Sequence, residues 1–306
     1  MRSNWLENVE NAITFESKDI VIITADLGYG VFEKFEKNFP KNFINCGVSE
    51  QNMVGIAAGL ALRGKKVFCY SIGNFPTLRC LEQIRNDVCY HNLDVCVVTV
   101  GAGFGYGQLG MSHHATEDLS IMRCIPNLSC YMPYDTQSTA MITKRIISLQ
   151  KPSYLRLERS CVDEVSSTEL QSFENPVLLG KGGCKTLILS CGGITEEAVR
   201  LQHKLNAAGT KTNLMIIQSF EDCNFKDVLT AFAQSERIVS IEENVVVGGL
   251  GAWASELITR NGINVRMFTY GLNDTFTSLV GDQRYLRKEC GIDSETLFAE
   301  LMMEVR

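Results

Sequence analysis

Residues 45–62 have the sequence NCGVSEQNMVGIAAGLAL, in which a short strand passes through a Ser-Glu pair into a helix rich in small residues. Small side chains let a helix approach a neighbouring sheet closely and pack against it without voids. The stretch predicts a β-strand followed by a buried α-helix, with the carboxylate of Glu50 at the junction between them.

The alternation of strand and helix continues on both sides of this stretch. Short apolar, β-branched runs predict the strands, and longer periodic runs predict the helices. The predicted strands are 19–24, 43–46, 66–70, 94–100, 128–132, 186–190, 212–217, 237–241 and 264–268. The other predicted helices are 77–89, 136–149, 196–208, 225–234 and 249–261. Repeated β–α units favour an α/β fold of two domains, each a mostly parallel sheet flanked by helices.

The alternation stops in one polar segment near the middle of the chain. Residues 165–169 are VSSTE, and Asn175-Pro176 follows, which is typical of a connection between domains. The 306 residues are enough for two domains of ordinary size. We therefore predict a first domain at 1–165, a linker at 166–183 and a second domain at 184–306.

Composition excludes several classes of protein. A net charge of −6 without any basic stripe argues against binding to nucleic acid. No apolar run reaches the length of about 18 residues that a membrane-spanning helix needs, and the acidic N-terminus does not resemble a signal peptide. The 12 cysteines lie singly within apolar runs, so we expect buried, reduced thiols in a cytoplasmic protein.

Two further motifs suggest other kinds of site. Residues 105–110, GYGQLG, match the Gly-x-Gly-x-x-Gly pattern of dinucleotide-binding proteins, and Asp135 follows a later strand. The polar residues 111–118 that come next favour a glycine-rich active-site loop over the start of a helix. His113 and His114 with Glu117 could suggest a metal site, but adjacent His side chains diverge, so we predict no metal ligand in this chain.

Spacing alone does not assign a role to Glu50. With Ser49 as the N-cap, a Glu in the first turn of a helix is ordinary helix-capping chemistry. Capping is the simpler interpretation until the surrounding motif is considered.

Several stretches together resemble the transketolase family. Residues 24–28 (TADLG), 46–61, 80–87 (CLEQIRND) and 112–123 (SHHATEDLSIMR) resemble its pyrimidine-binding domain. Residues 187–192 (LILSCG) and 241–251 resemble its C-terminal domain. The resemblance implies that Glu50 is the carboxylate that bonds the N1′ atom of thiamine diphosphate and activates the cofactor, rather than a helix cap.

The resemblance also implies a second subunit. Family members carry a Gly-Asp-Gly motif and a downstream Asn that hold Mg²⁺ and the cofactor's diphosphate, and this sequence has no Gly-Asp-Gly. We therefore expect the C-terminal subunit of a split transketolase. It should be active only with an N-terminal partner subunit, which supplies most of the ligands of the Mg²⁺ ion. An α₂β₂ heterotetramer is the expected assembly.

The family assigns four further residues of this chain to the site. Phe75 is expected to stack on the pyrimidine, and Asp26 to contact the cofactor near the subunit interface. His113 is expected to face the sugar oxygens and Arg159 to bind a substrate phosphate. Each has a structural alternative: a core aromatic for Phe75, a loop cap for Asp26, and for Arg159 a salt bridge with Glu158 or Glu164.

The expected reaction is transfer of a two-carbon ketol unit between sugars or sugar phosphates. Gly30, Leu109 and Gly101 replace polar substrate-binding residues of the family, and only Arg2 could substitute for its N-terminal arginine. These differences favour a specialised sugar over the usual pentose phosphates. The alternatives are a β subunit of a 2-oxo acid dehydrogenase-type enzyme and, from GYGQLG, a dinucleotide-dependent oxidoreductase.

Overall fold

The computed structural model describes residues 1–159, 176–180 and 183–304, and it contains two α/β domains. The first domain is built from α1 Arg2–Glu16, β1 Ile20–Thr24, α2 Glu33–Asn38, β2 Phe43–Asn45, α3 Glu50–Leu62, β3 Lys66–Ile72, α4 Asn74–Arg79, α5 Leu81–Gln83, β4 Val95–Val100, α6 Asp118–Arg123, β5 Ser129–Tyr131, α7 Thr136–Ser148 and β6 Ser153–Leu157. Its six strands are all parallel, in the order β2-β1-β3-β4-β6-β5.

The second domain repeats this architecture with one reversed strand. It contains β7 Val177–Leu179, β8 Thr186–Ser190, α8 Thr195–Ala207, β9 Thr212–Ile216, α9 Phe225–Ala233, β10 Arg237–Val245, α10 Leu250–Arg260, β11 Arg266–Leu272, α11 Gln283–Glu289 and α12 Ser294–Glu304. The strand order is β11-β10-β8-β9-β7, and only β7 runs antiparallel to its neighbour. The predicted fold of two mostly parallel sheets flanked by helices is confirmed.

The first sheet is covered on both faces because its strands are apolar on both faces. Val21 and Ile23 of β1 pack into the cluster that contains Met53 of α3. Ile20 and Ile22, which point the other way, pack into the cluster that contains Trp5 of α1. A parallel sheet buried on both faces needs such near-continuous apolar strands, and this is the pattern that the sequence shows.

The helix predicted at 77–89 is not a single helix in the structure. The segment predicted as helix 77–89 begins earlier, at Asn74, and is broken into α4, α5 and a π-helix at Ile84–Cys89. Pro76 lies in the first turn of α4, where its missing N–H has no intrahelical partner to lose. The first break therefore follows Arg79, the last residue of α4.

The predicted linker 166–183 lies mostly outside the described residues. Within it, Val177–Leu179 form β7 and pair with β9 of the second sheet. The two domains share a core, because Leu187 and Trp253 of the second belong to the same apolar cluster as the strands of the first. Across the described ranges no disulfide joins two cysteines, and one of these thiols, Cys124, is exposed rather than buried. A cytoplasmic location stays a prediction.

Candidate active site

The five residues singled out from the sequence all follow the carboxyl ends of strands in the first sheet. Asp26 follows β1, Glu50 follows β2, Phe75 follows β3, His113 follows β4 and Arg159 follows β6. Parallel strands end at one edge of the sheet, so these residues share that edge. β2 and β3 lie on opposite sides of β1, so the strand order reverses there. In open α/β sheets ligands bind at such a reversal, beyond the carboxyl ends of the strands.

Glu50 is the first residue of α3, and its carboxylate is buried, with 7% of the residue exposed. Its Oε1 accepts a hydrogen bond from Nη1 of Arg79, with which it forms an ion pair. The Ser49 hydroxyl donates to the carbonyl of Cys46 at 3.0 Å and makes no capping bond to α3. Ser49 is thus the N-cap residue of α3 and Glu50 lies in its first turn, as the spacing indicates. The side chain of Ser49 makes no capping bond, however, and the buried carboxylate of Glu50 pairs with Arg79.

Arg79 connects Glu50 to the predicted aromatic residue. The guanidinium carbon of Arg79 lies 4.0 Å from the centre of the Phe75 ring. On the same ring, the imidazole of His113 makes an edge contact with a centroid distance of 5.1 Å and an interplanar angle of 62°. Glu50, Arg79, Phe75 and His113 therefore form one connected group.

The surroundings of His113 favour the neutral form of its imidazole. Partial burial lowers the pKa of His113, and the positive charge of Arg79 lowers it further. Its Nδ1 lies 3.1 Å from the hydroxyl of Ser112, which leaves Nε2 for another partner. A neutral imidazole can donate from one nitrogen and accept at the other.

Asp26 is fixed by contacts within its own edge of the sheet. It has a left-handed backbone with φ of 57°, and its N–H donates to Oδ1 of Asn45 at 3.0 Å. The amide of Asn45 returns a hydrogen bond to the carboxylate of Asp26 at 3.2 Å. The hydroxyl of Tyr29 also bonds this carboxylate, and this raises the pKa of that phenol. Both the loop-capping and the cofactor-binding interpretations of Asp26 are compatible with this geometry.

The glycine-rich motif does not lead into a helix. Gly107–Leu109 and Met111–His113 are two short 3₁₀ turns, so no N-terminus of an α-helix faces the loop as dinucleotide binding would require. At Gly101, φ is 86° and an added Cβ would lie 2.2 Å from the ring of Tyr106. Tyr106 thus fills the space that a family histidine would need at position 101.

Arg159 lies at the rim of this loop and not in the Glu50 group. Its Nη1 is 3.5 Å from the carbonyl of Gly105, and its guanidinium is 5.1 Å from the centre of the Tyr106 ring. Glu158, one suggested ion-pair partner, is buried beside Arg156 and accepts from the N–H of Gly193. Glu164, the other, lies outside the described residues. The guanidinium is exposed and keeps donors for a ligand.

One cavity near the site is a separate feature. It has a volume of about 510 Å³ and lies between the domains, with Asn74, Met111 and His114 on one side and Phe276 and Leu279 on the other. Glu50, Phe75 and His113 do not line it. The Glu50 group reaches the surface at Arg79, whose side chain is 48% exposed. This exposed face at Arg79 is the open side of the group.

The residues present fit one part of a thiamine cofactor. The space beside Glu50 and over Phe75 already accommodates the planar, N–H-bearing guanidinium of Arg79, so an aminopyrimidine has both a carboxylate and an aromatic face there. The described residues contain no cluster of three or more His, Cys, Asp or Glu side chains that could hold a metal. The fit is thus to the pyrimidine and not to a metal-bound diphosphate.

Comparison with known families matches the chain in two parts. The family model described as "Transketolase, pyrimidine binding domain" matches residues 3–164. The model described as "Transketolase, C-terminal domain" matches residues 177–297. The chain belongs to the transketolase family. Enzymes of this family depend on thiamine diphosphate, and the transferase class that the sequence suggested is supported.

Individual relatives match this transketolase chain along almost its whole length. A Methanocaldococcus jannaschii protein named as a transketolase C-terminal section is 33% identical over 94% of this chain and 91% of its own length. A subunit of the apulose-4-phosphate transketolase from Actinobacillus succinogenes is 29% identical over 97% of this chain and 94% of its own length. A solved "Split gene transketolase, inactive beta4 tetramer" has a TM-score of 0.85 and 29% identity, covering 98% and 96%.

The function predicted from the sequence, that of a split transketolase subunit, agrees with these findings. The named relatives are transketolase subunits or sections, and none of those described above is a 2-oxo acid dehydrogenase or a dinucleotide-dependent enzyme. Among the described helices, none combines the length and apolarity that crossing a bilayer requires.

Arg79 is a residue of this site that was not predicted from the sequence. It lies four residues after Phe75, at the end of the same short helix, and a spacing of four residues places side chains on one helix face. That signal was available from the sequence. The ion pair with Glu50, 29 residues away, was not.

Proposed function

We propose that this chain is the C-terminal subunit of a split, thiamine diphosphate-dependent transketolase that transfers a two-carbon ketol unit between sugars or sugar phosphates. The observation that carries the proposal is the buried carboxylate of Glu50, which the guanidinium of Arg79 connects to the ring of Phe75. Both residues follow strands at the edge of the sheet where the strand order reverses. The match of the whole chain to subunits of split transketolases supports it.

Glu50 and Phe75 would hold the pyrimidine of the cofactor. The carboxyl group of Glu50 can bond N1′ and share a proton with it, and the buried surroundings keep water from competing. Phe75 offers an aromatic face that orients the ring. When bound, thiamine diphosphate supplies the nucleophilic carbon to which the ketol unit is transferred, and the protein supplies orientation and proton positioning.

His113 and Arg159 would recognise the substrate. The lowered pKa of His113 keeps its imidazole neutral near pH 7, so Nε2 can bond a sugar hydroxyl or carbonyl. Arg159 has an exposed guanidinium suited to bidentate binding of a phosphate. Asp26 would contact the cofactor from β1, through the carboxylate that Asn45 already orients.

A partner subunit would complete the site. The relative from Actinobacillus is named as one subunit of its enzyme. The related split transketolase of known structure is described as an inactive β4 tetramer. We infer that an N-terminal subunit supplies the Mg²⁺ ligands and the diphosphate site, and that the active assembly is an α₂β₂ heterotetramer. The open side of the Glu50 group is where that subunit would bind.

The substrate is inferred to be a specialised sugar. Relatives are named for apulose-4-phosphate and for 6-deoxy-6-sulfo-D-fructose. At Leu109 this chain has an exposed apolar side chain, and at Gly101 the ring of Tyr106 excludes any larger residue. A donor or acceptor sugar that lacks a hydroxyl group at one of the usual contact points would suit these two positions.

The test combines cofactor binding with transfer activity. This chain and its N-terminal subunit are purified together, and binding of thiamine diphosphate with Mg²⁺ is titrated alongside ketol transfer to a panel of aldoses. Glu50→Gln should keep the fold, but its turnover should fall at least about a hundredfold. Proton transfer to or from a positioned side chain typically accelerates a reaction by a factor of about 10²–10⁴. Glu36→Gln, an exposed change on α2, is the matched control and should change neither quantity.

Two results would contradict the proposal. Full turnover by E50Q would exclude Glu50 as the activating carboxylate. Activity that depends on a lipoyl-bearing protein, with no transfer to any aldose, would instead favour the 2-oxo acid dehydrogenase class.

A further inference from the structure

The guanidinium of Arg79 occupies a position that is defined by two other residues. Nη1 bonds the carboxylate of Glu50, and the guanidinium lies over the ring of Phe75 at 4.0 Å. These are the two groups that the proposed function assigns to the pyrimidine of the cofactor. Both contacts are made by one side chain from the last turn of α4.

A ligand at this position needs two properties. It must present an N–H or a protonated nitrogen to the carboxylate, and it must be flat enough to stack on an aromatic ring. A guanidinium meets both requirements, because it is planar, carries several N–H groups and stacks on aromatic faces. An aminopyrimidine meets them in the same way, and the two groups cannot share the space.

We propose that Arg79 is a positioning residue that stands in for the aminopyrimidine while the cofactor is absent, and that its side chain turns outward when the cofactor binds. This inference rests on the proposed function, because it takes Glu50 and Phe75 to be the pyrimidine site. It adds a residue of this chain that competes with the cofactor for that site.

The ion pair with Arg79 compensates the charge of a buried carboxylate. A carboxylate that is buried without a partner is costly, and Glu50 has only 8% of its side chain exposed. Arg79 supplies the opposite charge and covers the face of Phe75. The site can therefore stay folded and ready before the cofactor arrives.

The geometry also allows Arg79 to leave. Its side chain is 48% exposed, so the guanidinium can exchange its contacts for water. Its main chain is held in place, since Nε2 of Gln51 donates to the carbonyl of Arg79 at 3.0 Å. Only the side chain has to rotate, and α3 and α4 stay where they are.

Competition of this kind weakens cofactor binding by a fixed factor. The apparent dissociation constant is the intrinsic one divided by the fraction of molecules in which the site is open. If Arg79 closes about nine sites in ten, its removal should lower the apparent Kd about tenfold. A residue that contacted the bound cofactor would have the opposite effect.

The experiment is a binding titration on the complete complex. Thiamine diphosphate with Mg²⁺ is titrated into this chain assembled with its N-terminal subunit, and binding is followed by calorimetry. Arg79→Met should bind about tenfold more tightly than the unmodified complex, and should melt at a lower temperature before cofactor is added. Arg79→Gln, a second neutral variant, should change both quantities in the same direction.

Arg63→Met is the control, because Arg63 is an exposed arginine at the far end of α3 and should leave both quantities unchanged. Unchanged or weaker binding by both Arg79 variants would overturn the inference. If E50Q binds the cofactor as well as the unmodified complex does, the proposed pyrimidine site fails and this inference fails with it. If E50Q binds more weakly but R79M and R79Q do not bind more tightly, only the role of Arg79 is wrong.

Discussion

Arg156, on β6 of the first domain, donates from Nη2 to the main-chain carbonyl of Glu243 on β10 of the second domain, at 3.2 Å. The guanidinium is 2% exposed and is held by Oδ2 of Asp118 at 2.7 Å. On the other side, the carboxylate of Glu243 pairs with Arg287 at 2.6 Å. The buried ion pair of Arg156 in the first domain and that of Arg287 in the second are therefore joined through the main-chain carbonyl of Glu243.

Substitution of Arg156 should destabilise the protein strongly. Arg156→Met would leave the buried carboxylate of Asp118 without its cation, and loss of one partner of a buried pair typically costs about 3–5 kcal/mol. Urea unfolding should show a loss of this size in the free energy of unfolding. The effect should appear in both domains, because the residue bonds groups in each.

Lys185→Met provides the control for Arg156. Lys185 pairs with Glu236, and the two side chains are 73% and 60% exposed. Exposed pairs of this kind contribute less than about 1 kcal/mol. Equal losses of stability for the two variants would contradict the role given to the interdomain pairs.

Much of the fold was predictable because the strands of a parallel sheet are apolar on both faces. Val95–Val100 is buried at all six positions, and such a run is recognisable without knowledge of its neighbours. The elements that the sequence did not predict are α1, α2, α6, β6, β7, α11 and α12. β6 includes the charged Arg156, which only the ion pairs from Asp118 and Glu158 make compatible with burial. That compensation is a property of the assembled fold.

The candidate site was predictable for a related reason. Asp26, Glu50 and Phe75 each follow a strand, and parallel strands bring their carboxyl ends together wherever they lie in the sequence. The contacts between these residues were not predictable, because they depend on where α4 ends. Arg79 is the last residue of α4, and its guanidinium reaches Glu50 on α3.

Asp26 offers a way to separate a structural role from a cofactor-binding role. Asp26→Asn removes the charge but keeps a side chain that tolerates φ of 57° and can bond Asn45. We expect the melting temperature to stay within about 1–2 °C, since the loop keeps its geometry. If Asp26 contacts the cofactor, the Kd for thiamine diphosphate in the complete complex should rise several-fold.

Asp19→Asn is the control, because Asp19 is an exposed aspartate that pairs with Lys65 before β1. It should leave cofactor binding unchanged. A fall in melting temperature for D26N without any change in Kd would assign Asp26 to loop capping.

The protonation of His113 should report on the position of Arg79. Burial is the main cause of its lowered pKa, and the charge of Arg79 is the second. Arg79→Gln removes the second cause only, so the pKa of His113 should rise while staying below its usual value. An NMR titration of the four imidazoles, assigned with His113→Asn, measures this shift. An unchanged or lower value would place the guanidinium away from His113.

Glu242 should make stability depend on pH in a direction unusual for a carboxylate. Its carboxyl group is fully buried, and burial raises its pKa to about 7, although the N–H groups of Leu250 and Gly251 act in the opposite direction. The folded state therefore binds a proton more tightly than the unfolded state does. Between about pH 4.5 and pH 7, folding takes up a proton at this site, and the contribution of Glu242 to stability falls as the pH rises.

The size of this contribution follows from the shift in pKa. A change from 4.5 to about 7 corresponds to roughly 3 kcal/mol over the whole window. Glu242→Gln cannot titrate, so its free energy of unfolding, measured in urea from pH 5 to pH 8, should fall less steeply than that of the unmodified protein. Glu256→Gln is the control, because Arg123 lowers the pKa of Glu256 and that group titrates below this window. If E242Q and the unmodified protein have the same slope, Glu242 is already ionised in the folded state at pH 5.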